Sequence, residues 1–406
     1  MPPPRYAPPT PARRGAGMPR RATAALVQRS GAMPQPKTGG SVAPRDPMRH
    51  EKGHSAGSLR KRRDRQLGLG ATLRMRAERQ AKLARALRKS RELRRVALRT
   101  DRIRPDMILA FTTQRNERIR LPYFLEYYRR LGVGHFLMVD NGSDDGSADY
   151  LAAQGDVSLW STTASYRAAS YGVDWLNHLQ WRYGARHWTL VVDVDEFLVY
   201  PFCDTRPLAA LTGWLEASGR RSFGAMLLDM YPKGPLSELA YAEGQNPFEI
   251  ARWFDAGNLC ITRNARYRNL WIQGGARARV FFPDRPRAAP ALNKTPLVRW
   301  SRSYAYTSST HMLLPRGLNR VYDSTGGELA SGVLLHAKFL DTQASSLASR
   351  ARAEAARGEH YGQGCEYAGY EAGLEAAPDM WCDWSTEYIN WRQLEILGLM
   401  SKGDWA

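Results

Sequence analysis

Residues 187–200 read HWTLVVDVDEFLVY, a run of strand-forming apolar side chains that contains two aspartates, Asp193 and Asp195. Such a run predicts a buried strand. Carboxylates at the end of a buried strand are costly to desolvate unless a cation compensates their charge. Their oxygens suit Mg²⁺ or Mn²⁺, which bind substrate phosphates at the same time. The stretch therefore predicts a metal site, and helix capping or a surface loop is the alternative role for the two aspartates.

The segments before it alternate between strand and helix patterns. Residues 107–117, MILAFTTQRNE, and 135–140, HFLMVD, predict strands, with a helix over residues 121–131 between them that stops before Gly132. A third strand is predicted over residues 156–160 and a long helix over residues 168–183. This alternation is typical of an α/β domain with a mostly parallel, Rossmann-like sheet that is covered on both faces.

The second half of the chain has a looser pattern. A helix is predicted over residues 208–217 and a strand over residues 223–231, followed by shorter β segments interrupted by Gly and Pro. This half should be mixed α+β. Residues 346–406 predict a helical extension rich in Tyr and Trp.

Two polar loops follow the first two predicted strands. The turn sequence NGSDDGS begins at Asn141, directly after Asp140, and QRNE covers residues 114–117. Open α/β sheets bind ligands at the carboxyl ends of their strands. Asp140 and Asn141 are therefore candidates for the hydroxyls or base edge of a nucleotide, and a plain Asx-rich turn is the alternative.

These three motifs, RNE, VDNGSDDGS and VVDVDEF, each following a strand and in this order, resemble a bacterial glycosyltransferase family 2 protein over residues 105–345. The resemblance implies the GT-A fold and a divalent metal, Mn²⁺ or Mg²⁺, that holds the diphosphate of a nucleoside diphosphate sugar. In the DXD motif, Asp193 and Asp195 would contact the metal and the sugar donor, with Asp195 as the direct metal ligand. His336 resembles the late histidine that completes the metal shell in several such enzymes, and a satisfied core histidine is its alternative role. The residues implied to border the nucleotide are Asn116, Glu117, Asp140, Asn141 and Asp145.

The sequence departs from the family pattern because the usual Glu-Asp base motif is not evident after the DXD motif. Asp229, at the end of the strand over residues 223–231, is a candidate general base, and Asp193 is the other candidate catalytic residue. The alternative for Asp229 is a structural role as a buried or capping aspartate. Lys294 is a candidate to neutralise the diphosphate. Diphosphate neutralisation, a contact with an acidic acceptor or plain surface charge is open to Arg277, Arg279 and Arg299, and Lys338 follows His336 by two residues.

The net charge of +20 is concentrated at one end of the chain. Residues 1–105 hold 28 Lys and Arg against 6 Asp and Glu, which leaves 31 basic and 33 acidic residues in the rest. Residues 1–104 therefore predict a basic, largely disordered tail with a helix near residues 70–100. Nucleic acid is disfavoured as the main partner, and a peripheral contact with anionic membrane through the tail is expected.

Four scattered cysteines without a C-x-x-C pair indicate a reducing compartment. The start of the chain lacks the apolar core of a secretory signal, and no apolar run is long enough to span a membrane. A cytoplasmic protein, peripheral at the inner face of the membrane, is expected.

The predicted function is inverting, metal-dependent glycosyl transfer to a hydroxyl of a surface glycan or a lipid-linked acceptor in polysaccharide biosynthesis. A nucleotidyltransferase is an alternative enzyme, although its usual Gly-rich phosphate loop is not evident. A nucleic-acid-binding or membrane-binding protein acting through its basic arm is the alternative outside catalysis.

Overall fold

The computed structural model describes residues 68–321, 328–340 and 378–405. These residues belong to one compact unit, which covers residues 60–406. The predicted disordered segment over residues 1–67 and most of the predicted helical extension lie outside the described residues. In the last described segment, only residues 391–396 are helical.

A nine-stranded mixed sheet organises the fold. Its strands are β1 (Arg94–Ala97), β2 (Ile108–Gln114), β3 (Val133–Asp140), β4 (Val157–Ser161), β5 (Trp188–Val191), β6 (Glu196–Val199), β7 (Ser222–Asp229), β11 (Asn293–Arg299) and β14 (Ser331–His336). Their order across the sheet is β1-β4-β3-β2-β5-β11-β7-β14-β6. Six of the nine run in one direction, and β1, β6 and β11 run against them. The predicted α/β class with a mostly parallel sheet is confirmed.

Six shorter strands form three small two-stranded sheets after β7. They are β8 (Trp253–Phe254), β9 (Leu259–Asn264), β10 (Asn269–Gly274), β12 (Ala305–Ser308), β13 (Met312–Leu314) and β15 (Thr386–Glu387). They pair as β9 with β10, β12 with β13 and β8 with β15, all antiparallel. The second half is therefore mixed α+β, as its sequence predicts.

The described residues form seven α-helices, on both faces of the large sheet. They are α1 (Leu69–Lys89), α2 (Leu121–Leu131), α3 (Ser147–Ala153), α4 (Val173–Leu179), α5 (Leu208–Ala217), α6 (Gly275–Phe281) and α7 (Trp391–Ile396). Helix α2 has the predicted bounds and ends at Gly132, whose φ of +100° is easily adopted only without a Cβ.

Two apolar cores lie on the two faces of the large sheet. Phe124 of α2 and Phe136 of β3 are fully buried on one face, whereas Trp175 of α4 packs with Phe111 of β2 on the other. Each fully buried large apolar side chain contributes about 2 kcal/mol from burial alone. Because successive side chains of a strand point to opposite faces, strands covered on both sides need the nearly continuous apolar runs that the sequence shows.

The predicted start of the domain at residue 105 is wrong, because α1 and β1 belong to the folded unit. β1 pairs with β4 as an edge strand of the large sheet. On α1, Arg85 Nε lies 2.6 Å from Asp174 Oδ2 of α4, and the Asp174 side chain is fully buried. The high charge of this segment hid these contacts, since an arginine that pairs with a buried carboxylate looks in sequence like any other arginine.

Two predicted elements are interrupted. The single strand expected over residues 187–200 is two strands, β5 and β6, which lie at different places in the sheet order. The chain leaves the sheet at the aspartates, because carboxylates are poorly accommodated in a ladder covered on both faces. The helix expected over residues 168–183 is a 3₁₀ turn, the short α4 and a π-helical turn over Gln180–Gly184.

No helix among the described residues is long and apolar enough to cross a lipid bilayer.

We expect Arg85→Ala to lower the free energy of unfolding by about 1–3 kcal/mol, because the buried Asp174 carboxylate loses its guanidinium partner. Arg88→Ala, which removes an exposed arginine from the same helix, is the matched control and should change stability by less than about 0.5 kcal/mol. Urea unfolding followed by circular dichroism measures both. Equal stabilities of the two variants would show that α1 is not anchored by this pair.

Candidate active site

Asp193 and Asp195 lie in the turn that separates β5 from β6. The Glu196 N–H donates to the Asp193 carbonyl at 3.0 Å, and the Ala337 N–H donates to the Asp195 carbonyl at 2.9 Å. These bonds fix the turn against the end of β14. The Asp193 side chain is 55% exposed and the Asp195 side chain 20%. Both carboxylates therefore stand at an edge of the sheet, where solvent and ligands have access.

Two further strands end at this edge. β7 ends at Asp229 and β14 ends at His336, and the parallel register of the two strands pairs these residues directly. On its other side, His336 is in register with Glu196 of the antiparallel β6. The sheet thus brings together four carboxylates and one imidazole from three separate parts of the sequence.

His336 is held between two carboxylates. Its Nε2 lies 3.2 Å from Asp195 Oδ2 and its Nδ1 lies 2.7 Å from Asp229 Oδ1. Burial lowers the pKa of His336, but the two carboxylates outweigh burial and the net shift is upward. Burial likewise raises the pKa of Asp195, yet the positive charge of His336 holds it well below its usual range. His336 therefore bridges two carboxylates whose negative charges favour its protonated form.

The surroundings of Asp229 differ from those of a general base. Its side chain is 2% exposed, and Arg277 Nε of α6 donates to its Oδ2 at 2.7 Å. Burial raises the pKa of Asp229, but Arg277 and His336 outweigh it and lower the pKa to about 2. A carboxylate with both oxygens engaged and so low a pKa is a weak proton acceptor. The geometry favours positioning of His336 by Asp229 over the predicted role as base.

Lys294 of β11 lies next to the DXD turn. Its Nζ is 3.4 Å from Asp193 Oδ2 and forms a short ion pair with Glu196 Oε1. Burial raises the pKa of Glu196 to about 7, against the pull of the Lys294 charge and with a contribution from the Asp193 carboxylate. Lys294 is thus the buried cation closest to Asp193, as the prediction of a diphosphate-neutralising residue requires.

A cavity of about 410 Å³ opens onto this cluster. Asp193, Lys294 and His336 form one wall, and Trp271 and Phe282 provide apolar surface. Three more basic side chains line it, namely Arg277, Arg287 and Lys338. A cavity with carboxylates at one end, several cations and aromatic walls suits an anionic ligand that carries a flat or ring-shaped group.

Asp140 and Asn141, predicted to border a nucleotide, are both buried. Asp140 Oδ1 accepts from Gln114 Nε2 at 2.6 Å, and its Oδ2 accepts from the N–H groups of Gly142 and Ser143 at 3.1 Å. Asn141 Nδ2 donates to two backbone carbonyls that follow β4, at 3.1 and 3.0 Å. These bonds are those of an Asx-rich turn, and the nucleotide role of both residues stays a prediction.

Asn116, Glu117 and Asp145 join the two polar loops to each other. Asn116 Oδ1 accepts from the N–H of Asp144 at 2.9 Å, and Asp145 Oδ2 accepts from the N–H of Arg118 at 2.9 Å. The backbone of Asn116 has a φ of +54°, a value that Asn tolerates better than most residues. The loops therefore form one structured rim beside the DXD turn, since β2, β3 and β5 are parallel neighbours that end at the same edge.

Arg120 connects this rim to the carboxylate cluster and was missed in the sequence. It is buried, its Nη1 lies 2.6 Å from Glu117 Oε2, and its charge helps to lower the pKa of Asp195. Its sequence context offers little signal, because Arg120 is one of several charged residues immediately before α2.

Two of the predicted basic residues lie elsewhere. Arg279 forms a paired bond with Asp255, with both nitrogen–oxygen distances at 2.9 Å, on the side of α6 away from Arg277. Arg299 ends β11 and pairs with Glu216 Oε1 at 2.8 Å, at the opposite edge of the sheet. Neither contributes to the carboxylate cluster.

Among the residues that the structure describes, no three His, Cys, Asp or Glu side chains are arranged as a preformed metal-ligand group. No known protein family matches the chain, and a search of curated proteins gives no match either. The site is therefore interpreted from its own geometry.

His311, at one wall of the cavity, should make stability depend on pH. Burial, with the nearby Lys294 charge, lowers the pKa of His311 to about 4. The pKa of an unfolded histidine is about 6.5. At pH values between about 4 and 6.5, His311 therefore binds a proton in the unfolded state but not in the folded state. The free energy of unfolding should therefore fall as pH drops from about 6.5 to 4, by about 1 kcal/mol per pH unit from this residue.

His311→Gln should remove that part of the pH dependence. Urea unfolding of the wild type and the variant across this pH range measures it, and the difference between the two curves isolates His311 from the other titrating groups. Parallel curves would contradict the assignment.

Proposed function

We propose that the protein is a metal-dependent glycosyltransferase of the GT-A type, which moves a sugar from a nucleoside diphosphate to a hydroxyl acceptor. One observation carries the proposal: Asp195 contacts His336 and Asp193 contacts Lys294, and Asp193, His336 and Lys294 line a cavity together with further cations and aromatic rings. Carboxylates alone would repel a diphosphate. Carboxylates beside an imidazole and an ammonium suit a bound cation together with a phosphate ligand.

The residues present fit a divalent metal. Asp195 Oδ2 and His336 Nε2 lie 3.2 Å apart, and oxygen and imidazole nitrogen are ligands that manganese accepts. His336 Nε2 would lose its proton to bind the metal, while Nδ1 would keep its bond to Asp229, which is the usual support of a metal-binding histidine. The exposed Asp193 contributes a further carboxylate. When bound, the metal would neutralise the charge that develops on the departing diphosphate.

The basic side chains of the cavity would bind the phosphate groups of the donor. Lys294 is fixed by its ion pairs at the DXD turn, and Lys338 helps to lower the pKa of Asp195, so both lie close to where phosphate oxygens would bind. Arg287 lines the cavity beside Phe282. Positively charged groups fixed before the reaction stabilise a leaving diphosphate without further rearrangement.

Within this proposal Asp229 positions His336 and is not the base that accepts the acceptor proton. Among the cluster carboxylates, Asp193 is the most exposed and therefore the most accessible to a substrate hydroxyl. Asp193 contacts Lys294 and lines the cavity. This position is consistent with the two roles predicted for it from the sequence, which are contact with the donor and participation in catalysis.

Asp195→Asn should reduce turnover at least about 10³-fold, or about 4 kcal/mol of transition-state stabilisation, because the metal loses its charged ligand. Asp149→Asn, on the exposed surface of α3, is the matched control and should keep full activity. Release of nucleoside diphosphate from a panel of sugar nucleotides, with Mn²⁺ present, is the measurement. Unchanged turnover in Asp195→Asn would refute the role of the DXD turn.

Nucleotide binding should depend on manganese. In thermal-shift measurements with UDP, GDP, CDP and dTDP, one nucleotide should raise Tm by a few degrees when Mn²⁺ is present and by less without it. His336→Gln should lose most of the manganese-dependent part of the shift, because the glutamine amide is a weaker ligand. If no nucleotide raises Tm under either condition, the proposed donor is wrong.

A further inference from the structure

Five arginines line a groove of about 920 Å³ that lies outside the candidate active site. They are Arg186, Arg220, Arg221, Arg299 and Arg302. They come from three separate stretches of the chain, so the cluster exists only in the folded protein. Such a concentration of like charge is unfavourable unless counter-charges compensate it.

The groove lies at the edge of the sheet opposite the DXD turn. β5 and β7 begin at Trp188 and Ser222, just after Arg186 and Arg221 respectively, and the antiparallel β11 ends at Arg299. The carboxylates of the candidate active site follow the other ends of β5 and β7. The groove is therefore a separate site, and a ligand there would not touch the DXD turn.

The counter-charges beside the groove are too few for its arginines. Arg299 pairs with Glu216, and Arg220 Nη2 lies 2.9 Å from Asp404 Oδ1. Within the described part of the chain, the other three, Arg186, Arg221 and Arg302, have no carboxylate partner. All three are exposed, so their charges face the groove and solvent rather than a folded counter-ion.

Neutral groups hold two of these guanidinium groups in place. Arg221 Nη1 donates to Tyr304 Oη at 3.4 Å, and Arg302 Nε donates to the Trp181 carbonyl at 3.3 Å. Each guanidinium has five N–H donors, so a single such bond leaves several for a ligand. In addition, two buried donors of residues that line the groove, Trp300 Nε1 and Arg220 Nη1, have no acceptor among the described residues. Buried donors without an acceptor are rare.

We propose that this groove binds a soluble anion with several phosphate groups. Guanidinium forks match phosphate oxygens in pairs, and a concave site with cations on several sides surrounds a compact polyphosphate better than it fits a flat lipid surface. The proposal does not depend on glycosyl transfer, because the groove and the candidate active site share no residue.

The experiment uses the full chain with inorganic tripolyphosphate as the probe and EDTA to remove divalent metal. Isothermal titration calorimetry should show saturable binding that weakens as ionic strength rises to about 0.15 M. The double variant Arg221→Ala/Arg302→Ala should bind at least about tenfold more weakly, since two charge-assisted contacts are lost. Both positions are exposed, so circular dichroism should show an unchanged fold.

The control is Arg95→Ala/Arg285→Ala, which removes the same charge at exposed positions away from the groove and should keep the wild-type affinity. The basic residues before residue 68 are present in every variant and cancel in the comparison. Equal weakening in both double variants would overturn the proposal, as would loss of binding in Arg287→Ala alone, which would place the anion in the cavity beside the DXD turn.

Vesicles that contain phosphatidic acid test whether the phosphate bound in the groove belongs to a soluble anion or to a lipid headgroup. If the wild type and the Arg221→Ala/Arg302→Ala variant co-sediment with these vesicles equally, the groove does not bind the lipid headgroup, which supports a soluble ligand there. If these substitutions abolish vesicle binding while tripolyphosphate does not bind the wild type, the groove recognises a lipid headgroup and the proposal fails. Tripolyphosphate binding without any nucleotide binding would separate this inference from the proposed glycosyl transfer.

Discussion

The main constraint on this structure is the free-energy cost of placing several carboxylates together at the strand ends of a sheet that is covered on both faces. Four carboxylates meet there, and burial alone would drive the pKa values of three of them, Asp195, Glu196 and Asp229, upward. The positive charges of His336, Lys294 and Arg277 offset that cost through short ion pairs. Stability alone does not require such an arrangement, because apolar residues of similar volume would hold the strands together as well. The cluster is therefore best understood as a prepared binding site.

The order of the strands makes the cluster possible. β14 inserts between β7 and β6, so its last residue, His336, is in register with Asp229 on one side and Glu196 on the other. The turn at the two aspartates moves the chain from β5, inside the sheet, to β6 at its far edge. A continuous strand over this region would have left His336 without Asp195 and Glu196 as neighbours, whereas Asp229 is placed by β7. The same strand directions put the arginines of the groove at the opposite ends of β5 and β7.

Local patterns predicted the elements of the first half well. The apolar runs predicted β2, β3 and β4, and the helical spacing before Gly132 predicted α2, because hydrophobic periodicity is a local property of the chain. The interrupted helix over residues 168–183 and the split strand over residues 187–200 were not predictable in this way. In both, tertiary packing overrides a pattern that continues through the break. The boundary at residue 105 failed for a similar reason, since the contacts that anchor α1, such as those of Arg85 with Asp174 and of Glu78 with Arg266, join positions far apart in sequence.

The sequence by itself determined the α/β class, the position of the DXD motif after a buried strand, and the candidates Lys294 and His336, because these follow from residue type and local order. Only the tertiary structure decided which charges meet. It paired His336 with both Asp195 and Asp229, engaged Asp229 with Arg277, and separated Arg299 from the site. Electrostatic energies depend on distances of a few ångströms between residues about a hundred positions apart, and strand order and register set those distances.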